Sequence, residues 1–332
     1  MDAFLLQVLN GLDKGGAYAL IAMGLTLVFG TLGVVNFAHG ALFMLGAFVA
    51  VSVQNILTIS IKVKDESITY FDAYKETPYL IEWYGDTGAL IIDYAVPISI
   101  FIAIPVMLLI GLIMERGLIR HFYKREHADQ ILVTFGLAIV LQEIVKANFG
   151  ANPIPTGAPD IVAGSADIGA LFGLDGLVYP WWRMIYLVFS LTVIAAVFAF
   201  LHLTTFGMVV RAGMHDREMV GMLGINIEKR FSIVFGIAAI VAGLAGVMYT
   251  PILPPDYHMG MDFLVLSFVV VVVGGMGSLG GAVLAGFMLG ILQSFASMNE
   301  VKSILPGIDQ IIIYLIAVVI LLFRPRGLLG KD

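Results

Sequence analysis

The sequence has 332 residues, of which 60% are hydrophobic and only 13% are charged. A water-soluble domain of this length cannot hide so much apolar surface, so the composition excludes a soluble globular fold and predicts a protein whose solvent is lipid. The formal net charge of -6 says less, because in a membrane protein the distribution of charge between the two sides matters more than its sum. Cysteine is absent, which excludes disulfides, thiol catalysis and Cys-ligated metal sites.

Long apolar runs predict membrane-spanning helices, because a backbone in hydrocarbon must satisfy its own hydrogen bonds and an unbroken run favours a helix over a barrel strand. We expect one transmembrane domain over residues 1–332, of the all-α class: a polytopic transmembrane helical bundle of eight or nine segments. The first run follows Met1 without a basic leader, so it is expected to be retained. The apolar runs lie at residues 4–30, 40–61, 88–113, 130–149, 184–205, 231–253, 263–297 and 306–323.

Glycine-rich interruptions occur in corresponding places near the two ends of the chain. The run at 263–297 is too long for one span and is interrupted at 274–281, which predicts two shorter helices that meet at a break. Near the start, residues 33–40 interrupt the passage from one apolar helix to the next. Each break is followed by an apolar helix and by one more span. That span ends in the sequence Arg-Gly-Leu, at 116–118 in the first case and at 326–328 in the second. The pattern predicts broken helices within an internal same-orientation repeat; the alternative is chance recurrence in a chain with 37 glycines.

The charge of the loops predicts the side of the membrane that each loop faces. Segments 62–93 and 150–182 are acidic and are expected outside, with the N-terminus outside and the C-terminus inside. Within the first segment, residues 62–88 form an outward-facing insert rich in aromatic residues, either a structured cap that contacts a partner or an aromatic belt at the membrane surface. Eleven of the eighteen Lys and Arg residues mark the cytoplasmic loops: Arg116, Arg120, Lys124, Arg125, Arg211, Arg217, Lys229, Arg230, Arg324, Arg326 and Lys331.

Motifs that would carry catalysis or nucleotide binding are missing from the sequence. There is no G-x-x-x-x-G-K-[ST] phosphate loop, no H-E-x-x-H pair among the six histidines and no G-x-S-x-G elbow. Glu143 and Lys146, one helical turn apart near the outer end of a span, are expected to pair with each other or to snorkel toward the membrane surface rather than to relay protons. We therefore expect a transport subunit that is not an enzyme, with no catalytic residue, no metal site and no cofactor.

The longest cytoplasmic connection, residues 206–230, is predicted to be a coupling loop that contains a short amphipathic helix. Asp216, Arg217 and Glu218 supply its polar side, and Gly224 is a candidate C-terminal cap. Exposed methionines suit an adaptable groove in a partner, and the alternative is a helix that lies on lipid headgroups. The apolar side consists of Met214, Met219, Val220, Met222 and Leu223.

Taken together, these features resemble the permease subunits of branched-chain amino-acid ABC importers, and the resemblance follows most of the chain in order. The Asn-Phe-Ala-His-Gly stretch is similar to one of the two permease types that pair in such importers. One departure is the insert at 62–88, which is longer and more acidic than the family pattern. The residues that carry the resemblance are Tyr18, Ala19, Leu20, Gly24, Val35 to Gly40, Met44, Gly46, Arg211, Ala212, Leu223 to Asn226, Gly274 to Ser278, Gly281 and Ala282.

The resemblance implies a passive permease subunit of an ATP-driven importer for branched-chain or related amino acids. It also implies partners: a homologous second permease, two cytoplasmic ATPase subunits, a periplasmic or lipid-anchored solute-binding protein and membrane lipid, with no nucleic acid. The implied location is the bacterial cell inner membrane, which the chain crosses several times. Urea, short amides or small carboxylates remain open as solutes, and a stand-alone channel or carrier remains an alternative. The residues expected to couple to the ATPases are Arg211, Ala212, Met214, Asp216, Met219, Leu223 and Gly224.

The translocation pathway is predicted to pass beside the two helix breaks. Unpaired backbone groups at a break are tolerable in a membrane only when they are buried in protein or face a wet cavity, and half-helix ends can meet the charged ends of a zwitterionic solute. The alternative is that His39 satisfies carbonyls left open by its break and that the glycines serve packing. The predicted pathway residues are Asn36, Phe37, His39, Gly40, Gly274, Gly275, Gly277 and Ser278.

Overall fold

The computed structural model describes residues 2–64, 74–123, 125–169 and 177–330. These residues hold fourteen α-helices and two short hairpins, which confirms the all-α membrane class. Seven helices are long and apolar enough to cross a membrane, and two shorter apolar helices bring the number of predicted segments to nine. The elements are α1 (Asp2–Leu32), α2 (His39–Leu57), β1 (Ser60–Lys64), β2 (Tyr74–Pro78), α3 (Tyr79–Tyr84), α4 (Asp86–Asp93), α5 (Ala95–Gly117), α6 (His127–Phe149), β3 (Ser165–Asp167), β4 (Val178–Pro180), α7 (Trp181–Leu203), α8 (Thr205–His215), α9 (Arg217–Met222), α10 (Ile227–Tyr249), α11 (Met259–Gly274), α12 (Leu279–Ala296), α13 (Asn299–Ile304) and α14 (Ile308–Phe323).

Helices α1, α2 and α10 form the centre of the bundle. In the most apolar stretch of α1, 89% of the residues are buried, and in that of α10 the share is 83%. In the corresponding stretch of α6, only 22% of the residues are buried. The apolar side chains of α5, α6 and α7 therefore face outward, as expected where lipid surrounds the protein. The functional site must be sought among the central helices and at their ends.

Glycines let the central helices approach backbone to backbone. A Cβ atom added to Gly46 of α2 would lie 2.1 Å from the carbonyl oxygen of Gly243 of α10. A Cβ atom added to Gly290 of α12 would lie 2.5 Å from the Cα of Gly15 of the antiparallel helix α1. Such contact is typical of membrane bundles, where van der Waals packing of small residues replaces the hydrophobic effect.

The loops gather at the two ends of the bundle as their charge predicts. At the basic end, Arg120 forms an ion pair with Glu228. At the acidic end, the amide of Asp160 donates to the Asp93 carboxylate at 2.8 Å, which joins the two predicted outward loops. The N-terminal half of α1 lies at this acidic end, because Tyr179 of β4 donates to Asp13 of α1 at 3.1 Å. Two of the predicted cytoplasmic basic residues, Lys124 and Lys331, lie outside the described residues.

The insert begins with an antiparallel hairpin in which Ser60 of β1 pairs with Pro78 of β2. Helices α3 and α4 follow, so residues up to Asp93 belong to this outer segment. The apolar run predicted from residue 88 therefore starts too early, since the fifth helix begins at Ala95. The reason is that α4 is a separate short helix with charged ends, and hydropathy does not separate it from the span that follows.

The coupling loop contains two helices, so the prediction of a single amphipathic helix is wrong. Helix α8 ends at His215, and Asp216 adopts an extended conformation, with φ -150 and ψ 102. The carboxylate of Asp216 accepts from the amide of Met219 at 2.9 Å and starts α9 as its N-cap. Asp216 thus separates the helices instead of forming part of one polar face. Gly224 has a φ of +78 just beyond α9, which confirms a glycine turn there.

Candidate functional site

The first helix break runs from Gly33 to Ala38, between α1 and α2. The side-chain oxygen of Asn36 accepts from the amide of Ala38 at 3.0 Å and shapes the turn that starts α2. The amide of Phe37 donates to the hydroxyl of Thr134 on α6 at 3.0 Å. The backbone amide of Phe37 at this break is therefore hydrogen-bonded to a side chain from a helix distant in sequence. The sequence did not reveal this contact.

Asn36 and His39 are completely buried beside this break. Over the described part of the chain, the side-chain amide nitrogen of Asn36 and both ring nitrogens of His39 have no hydrogen-bond partner. The imidazole packs against α1, where a Cβ atom on Gly24 would lie 2.5 Å from its Nε2 atom. Among the described residues, His39 makes no hydrogen bond to a carbonyl at the break.

The second break lies between α11 and α12 and is closed by the chain that follows α14. The amide of Leu328 donates to the carbonyl of Val273 at 2.8 Å, and that of Leu329 donates to the carbonyl of Gly274 at 3.1 Å. Gly275 has a φ of +101, and a Cβ atom on it would lie 2.6 Å from the backbone nitrogen of Gly330. This C-terminal strap, residues 326–330, satisfies the last carbonyls of α11.

Three of the predicted pathway glycines lie against other backbones. A Cβ atom on Gly40 would lie 2.1 Å from the carbonyl oxygen of Gly260, and one on Gly274 would lie 2.5 Å from that of Gly281. Together with Gly275 under the strap, these positions serve close packing around α11. Of the predicted pathway residues at the second break, this leaves Gly277 and Ser278, which line a cavity.

A cavity of about 520 Å³ opens beside Gly277 and Ser278 at the basic end of the bundle. It lies between α1, the end of α7, α8 and the start of α12. Its volume falls in the range of small-molecule sites. The residues that line it are Thr26, Leu27, Thr31, Phe198, Leu201, His202, Val210, Arg211, Met214, Gly277, Ser278, Leu279 and Gly280.

Residues predicted for coupling and residues predicted for the pathway meet in this cavity. Arg211 and Met214 of α8 form one wall, and Gly277 and Ser278 form another. The Arg211 guanidinium donates to the carbonyl of Leu201, in the last turn of α7. The residues Asn36, Phe37 and His39 of the first break do not line the cavity.

The other predicted coupling residues lie on the surface of the basic end. Ala212, Asp216 and Gly224 are exposed. Val220, which the sequence placed on the same apolar side, is instead 5% exposed. The side chains of Arg217 and Glu218 lie outside the described part of the chain. We use the name coupling face for the three most exposed residues of that predicted apolar side: Met219 at 54%, Met222 at 74% and Leu223 at 73%.

Two buried carboxylates were not among the residues that the sequence singled out. Asp13 of α1 forms an ion pair of 3.1 Å with Arg183 of α7. Burial raises the pKa of Tyr179, so this phenol stays protonated and donates to the same carboxylate. Glu115 of α5 accepts from Ser232 of α10 at 2.8 Å. Both carboxylates join helices of the bundle. At the surface, Glu143 and Lys146 form the expected pair at 3.7 Å.

Comparison with known proteins adds a second line of observation. The family described as "Branched-chain amino acid transport system / permease component" matches residues 7–321. The chain is 27% identical over 335 residues to the high-affinity branched-chain amino acid transport system permease protein LivH of Escherichia coli (strain K12), covering 99% of this chain and 96% of that protein.

Similarity extends to a second branched-chain amino acid permease and, more distantly, to a ribose permease. The permease protein BraD of the high-affinity branched-chain amino acid transport system of Pseudomonas aeruginosa is 27% identical over 340 residues, with 99% and 96% covered. The ribose import permease protein RbsC of Haemophilus influenzae is 25% identical over 240 residues, with 70% and 72% covered. No solved structure matches the chain.

Proposed function

We propose, since this chain belongs to the family of branched-chain amino acid transport system permease components, that it forms the translocation pathway of an ATP-driven importer together with a second, homologous permease. The solutes are branched-chain or related amino acids. Two cytoplasmic ATPase subunits supply the energy, and a periplasmic or lipid-anchored binding protein delivers the solute. The chain is a multi-pass protein, and we place it in the bacterial cell inner membrane.

One structural observation supports this function best: helix α8 lies between the coupling face and the cavity. The coupling face follows α8 directly in the chain, and Arg211 and Met214 of α8 line the cavity beside Gly277. A displacement of the short helices by a cytoplasmic partner would therefore change the cavity wall. That arrangement fits a permease whose pathway responds to ATP hydrolysis in a separate subunit.

ATP-dependent uptake into proteoliposomes tests the proposal. The chain is reconstituted with its second permease, its ATPases and the binding protein, and uptake of radiolabelled L-leucine is measured with ATP on the cytoplasmic side. We expect uptake that requires all four components and that excess L-isoleucine or L-valine suppresses. The matched control contains the same subunits with a nonhydrolysable ATP analogue.

Three results of the same assay would contradict the proposal. Flux through the chain without ATP or partners would indicate a stand-alone channel or carrier. ATP-dependent uptake of urea, acetamide or propionate in place of leucine would show the same architecture with another solute. Uptake that persists when this chain is omitted would remove it from the pathway.

A further inference from the structure

We infer that the cavity at the basic end contains a binding site for a carboxylate, formed by Arg211, Thr26 and the first turn of α12. The inference rests on the proposed function, because a solute that leaves the pathway at this end would meet the cavity last. Beyond the proposed function, the site has named residues and a ligand class. That class is a small molecule that carries a free carboxylate.

The electrostatic balance of the cavity favours an anion. Arg211 is half-buried in its wall, and among the described residues that line the cavity none is acidic. Its guanidinium carries five N–H donors, of which the contact with the Leu201 carbonyl uses one nitrogen. A planar guanidinium matches a carboxylate in shape and charge, and such hydrogen bonds are stronger than neutral ones.

The start of α12 presents amide donors to the same space. Ser278 is the N-cap of this 18-residue helix, and its hydroxyl accepts from the amide of Gly281 at 3.1 Å. The amides of Leu279 and Gly280 have no acceptor within the helix, since the first amides of an α-helix lie outside its hydrogen-bond ladder. Both residues line the cavity. Helix N-termini of this kind favour negative charge.

Thr26 provides an independent indication of a ligand site. It lines the cavity and is 1% exposed, yet its hydroxyl has no hydrogen-bond partner within the described ranges. A threonine in a helix commonly bonds to its own backbone, as Thr31 does with the carbonyl of Leu27 at 2.6 Å. A buried hydroxyl without a partner is costly. A carboxylate oxygen in the cavity would be its acceptor.

A cysteine reporter can measure occupancy directly, because the chain has no cysteine of its own. Leu279→Cys places one thiol in the cavity wall of the complete importer, held in lipid nanodiscs without ATP. The rate of alkylation of this chain by N-ethylmaleimide is read by mass spectrometry, with the cysteine-free chain as background. The probes are L-leucine, 4-methylpentanoate, which keeps only the carboxylate, 3-methylbutylamine, which keeps only the amine, and inorganic phosphate.

We expect L-leucine and 4-methylpentanoate to slow alkylation in a saturable way and 3-methylbutylamine to have no effect. In the reporter chain, Arg211→Gln should raise the half-protecting concentration about tenfold or more, as expected for a hydrogen bond to a charged group. Thr26→Val, which replaces a hydroxyl by a methyl, should raise it about fivefold. Arg230→Gln is the matched control, since Arg230 lies over the Phe206 ring at 5.3 Å and outside the cavity.

The inference is overturned if the amine protects as well as the carboxylates, or if protection is the same in Arg211→Gln and Thr26→Val as in the reporter chain. Equal protection by phosphate would assign the site to phosphate or lipid headgroups and would overturn the carboxylate class. Should Arg211→Gln fail to assemble, Thr26→Val alone decides. Leucine uptake by the reporter chain is measured in parallel. Uptake without protection contradicts only this inference, whereas protection without uptake contradicts only the proposed function.

Discussion

At the first helix break, Asn36 and His39 place polar groups in a fully buried setting without partners among the described residues. An unsatisfied buried donor or acceptor costs roughly 1–3 kcal/mol. The two residues differ in what else they do, because the Asn36 side chain also caps the turn through the amide of Ala38. Replacing Asn36 would therefore disturb the break itself. His39 has no such second role and gives the cleaner test of the predicted pathway.

We predict that His39→Leu leaves the assembled complex at least as stable as the unmodified protein but lowers transport about tenfold. Leucine fills similar apolar space without unpaired nitrogens, whereas a solute or water in the pathway would lose a hydrogen-bonding group. Melting of the complex and leucine uptake are measured on the same preparation. His121→Leu, at an exposed position of the basic end, is the control. Normal uptake by His39→Leu would remove His39 from the pathway.

Among the elements, α8 and α9 carry the predicted coupling function. Their boundaries are set by polar caps: the hydroxyl of Thr204 accepts from the amide of Gly207 at 3.1 Å, and Asp216 starts α9. Each cap satisfies an amide in the first turn of its helix. The coupling face leaves three apolar side chains exposed on and just after α9, and we predict that a partner covers them.

We predict that Met219→Asp and Leu223→Asp each abolish solute-stimulated ATP hydrolysis while the subunits still purify together. A carboxylate driven into an apolar groove loses its hydration without gaining a partner, at a cost of several kcal/mol. Met219→Leu is the matched control and should retain stimulation. Val220→Asp should instead lower the yield of folded chain, because Val220 is buried. Unchanged stimulation in both Asp variants would exclude this segment from coupling.

A further prediction concerns the hairpin of β1 and β2 at the acidic end. Replacing residues 61–77 by a short Gly-Ser turn between Ser60 and Pro78 keeps the paired base of the hairpin and leaves α3 and α4 intact. We expect weaker capture of the loaded binding protein, with assembly unchanged. The measurement is the affinity of the labelled binding protein for the importer in nanodiscs.

The variant Tyr74→Ser tests whether one aromatic side chain carries this effect, since Tyr74 is 63% exposed on β2. If the loop-shortened chain binds its partner with the original affinity, the hairpin has no role in capture. Loss of assembly in that chain, with Tyr74→Ser normal, would show that the hairpin serves the fold instead.

The whole molecule is a helical bundle with one acidic end and one basic end. The acidic loops share one end and the basic loops share the other, and the central helices are joined by glycine contacts such as Gly46 with Gly243. Because a chain with this pattern orients its basic loops toward the cytoplasm, the hairpin is expected outside and the coupling face inside.

Single cysteines test this orientation, again because the chain has none of its own. In intact bacterial cells, a membrane-impermeant maleimide should label Glu76→Cys on β2 and should label Met222→Cys only after the membrane is permeabilised. Ser267→Cys, which is fully buried on α11, is the control and should stay unlabelled in both conditions. Labelling of Met222→Cys alone in intact cells would reverse the predicted topology.

The sequence by itself determined the class of protein, the number of membrane segments to within one, the positions of both helix breaks and the grouping of loops by charge. These features follow from hydropathy, from glycine clusters and from Lys and Arg counts, which are local along the chain. They also carried the family resemblance, which the match over residues 7–321 confirms. The pairing of Glu143 with Lys146 was equally local, as it spans one helical turn.

Only the tertiary structure decided which residues at the breaks face open space. Thr134 is separated from Phe37 by almost a hundred positions, and the strap at 326–330 closes a break some fifty residues earlier. No local pattern records such contacts, because they depend on how distant helices pack. For the same reason, glycines that look alike in sequence divide into two groups. Gly274 and Gly275 lie against backbone, while Gly277 shares a cavity with Arg211 and Thr26.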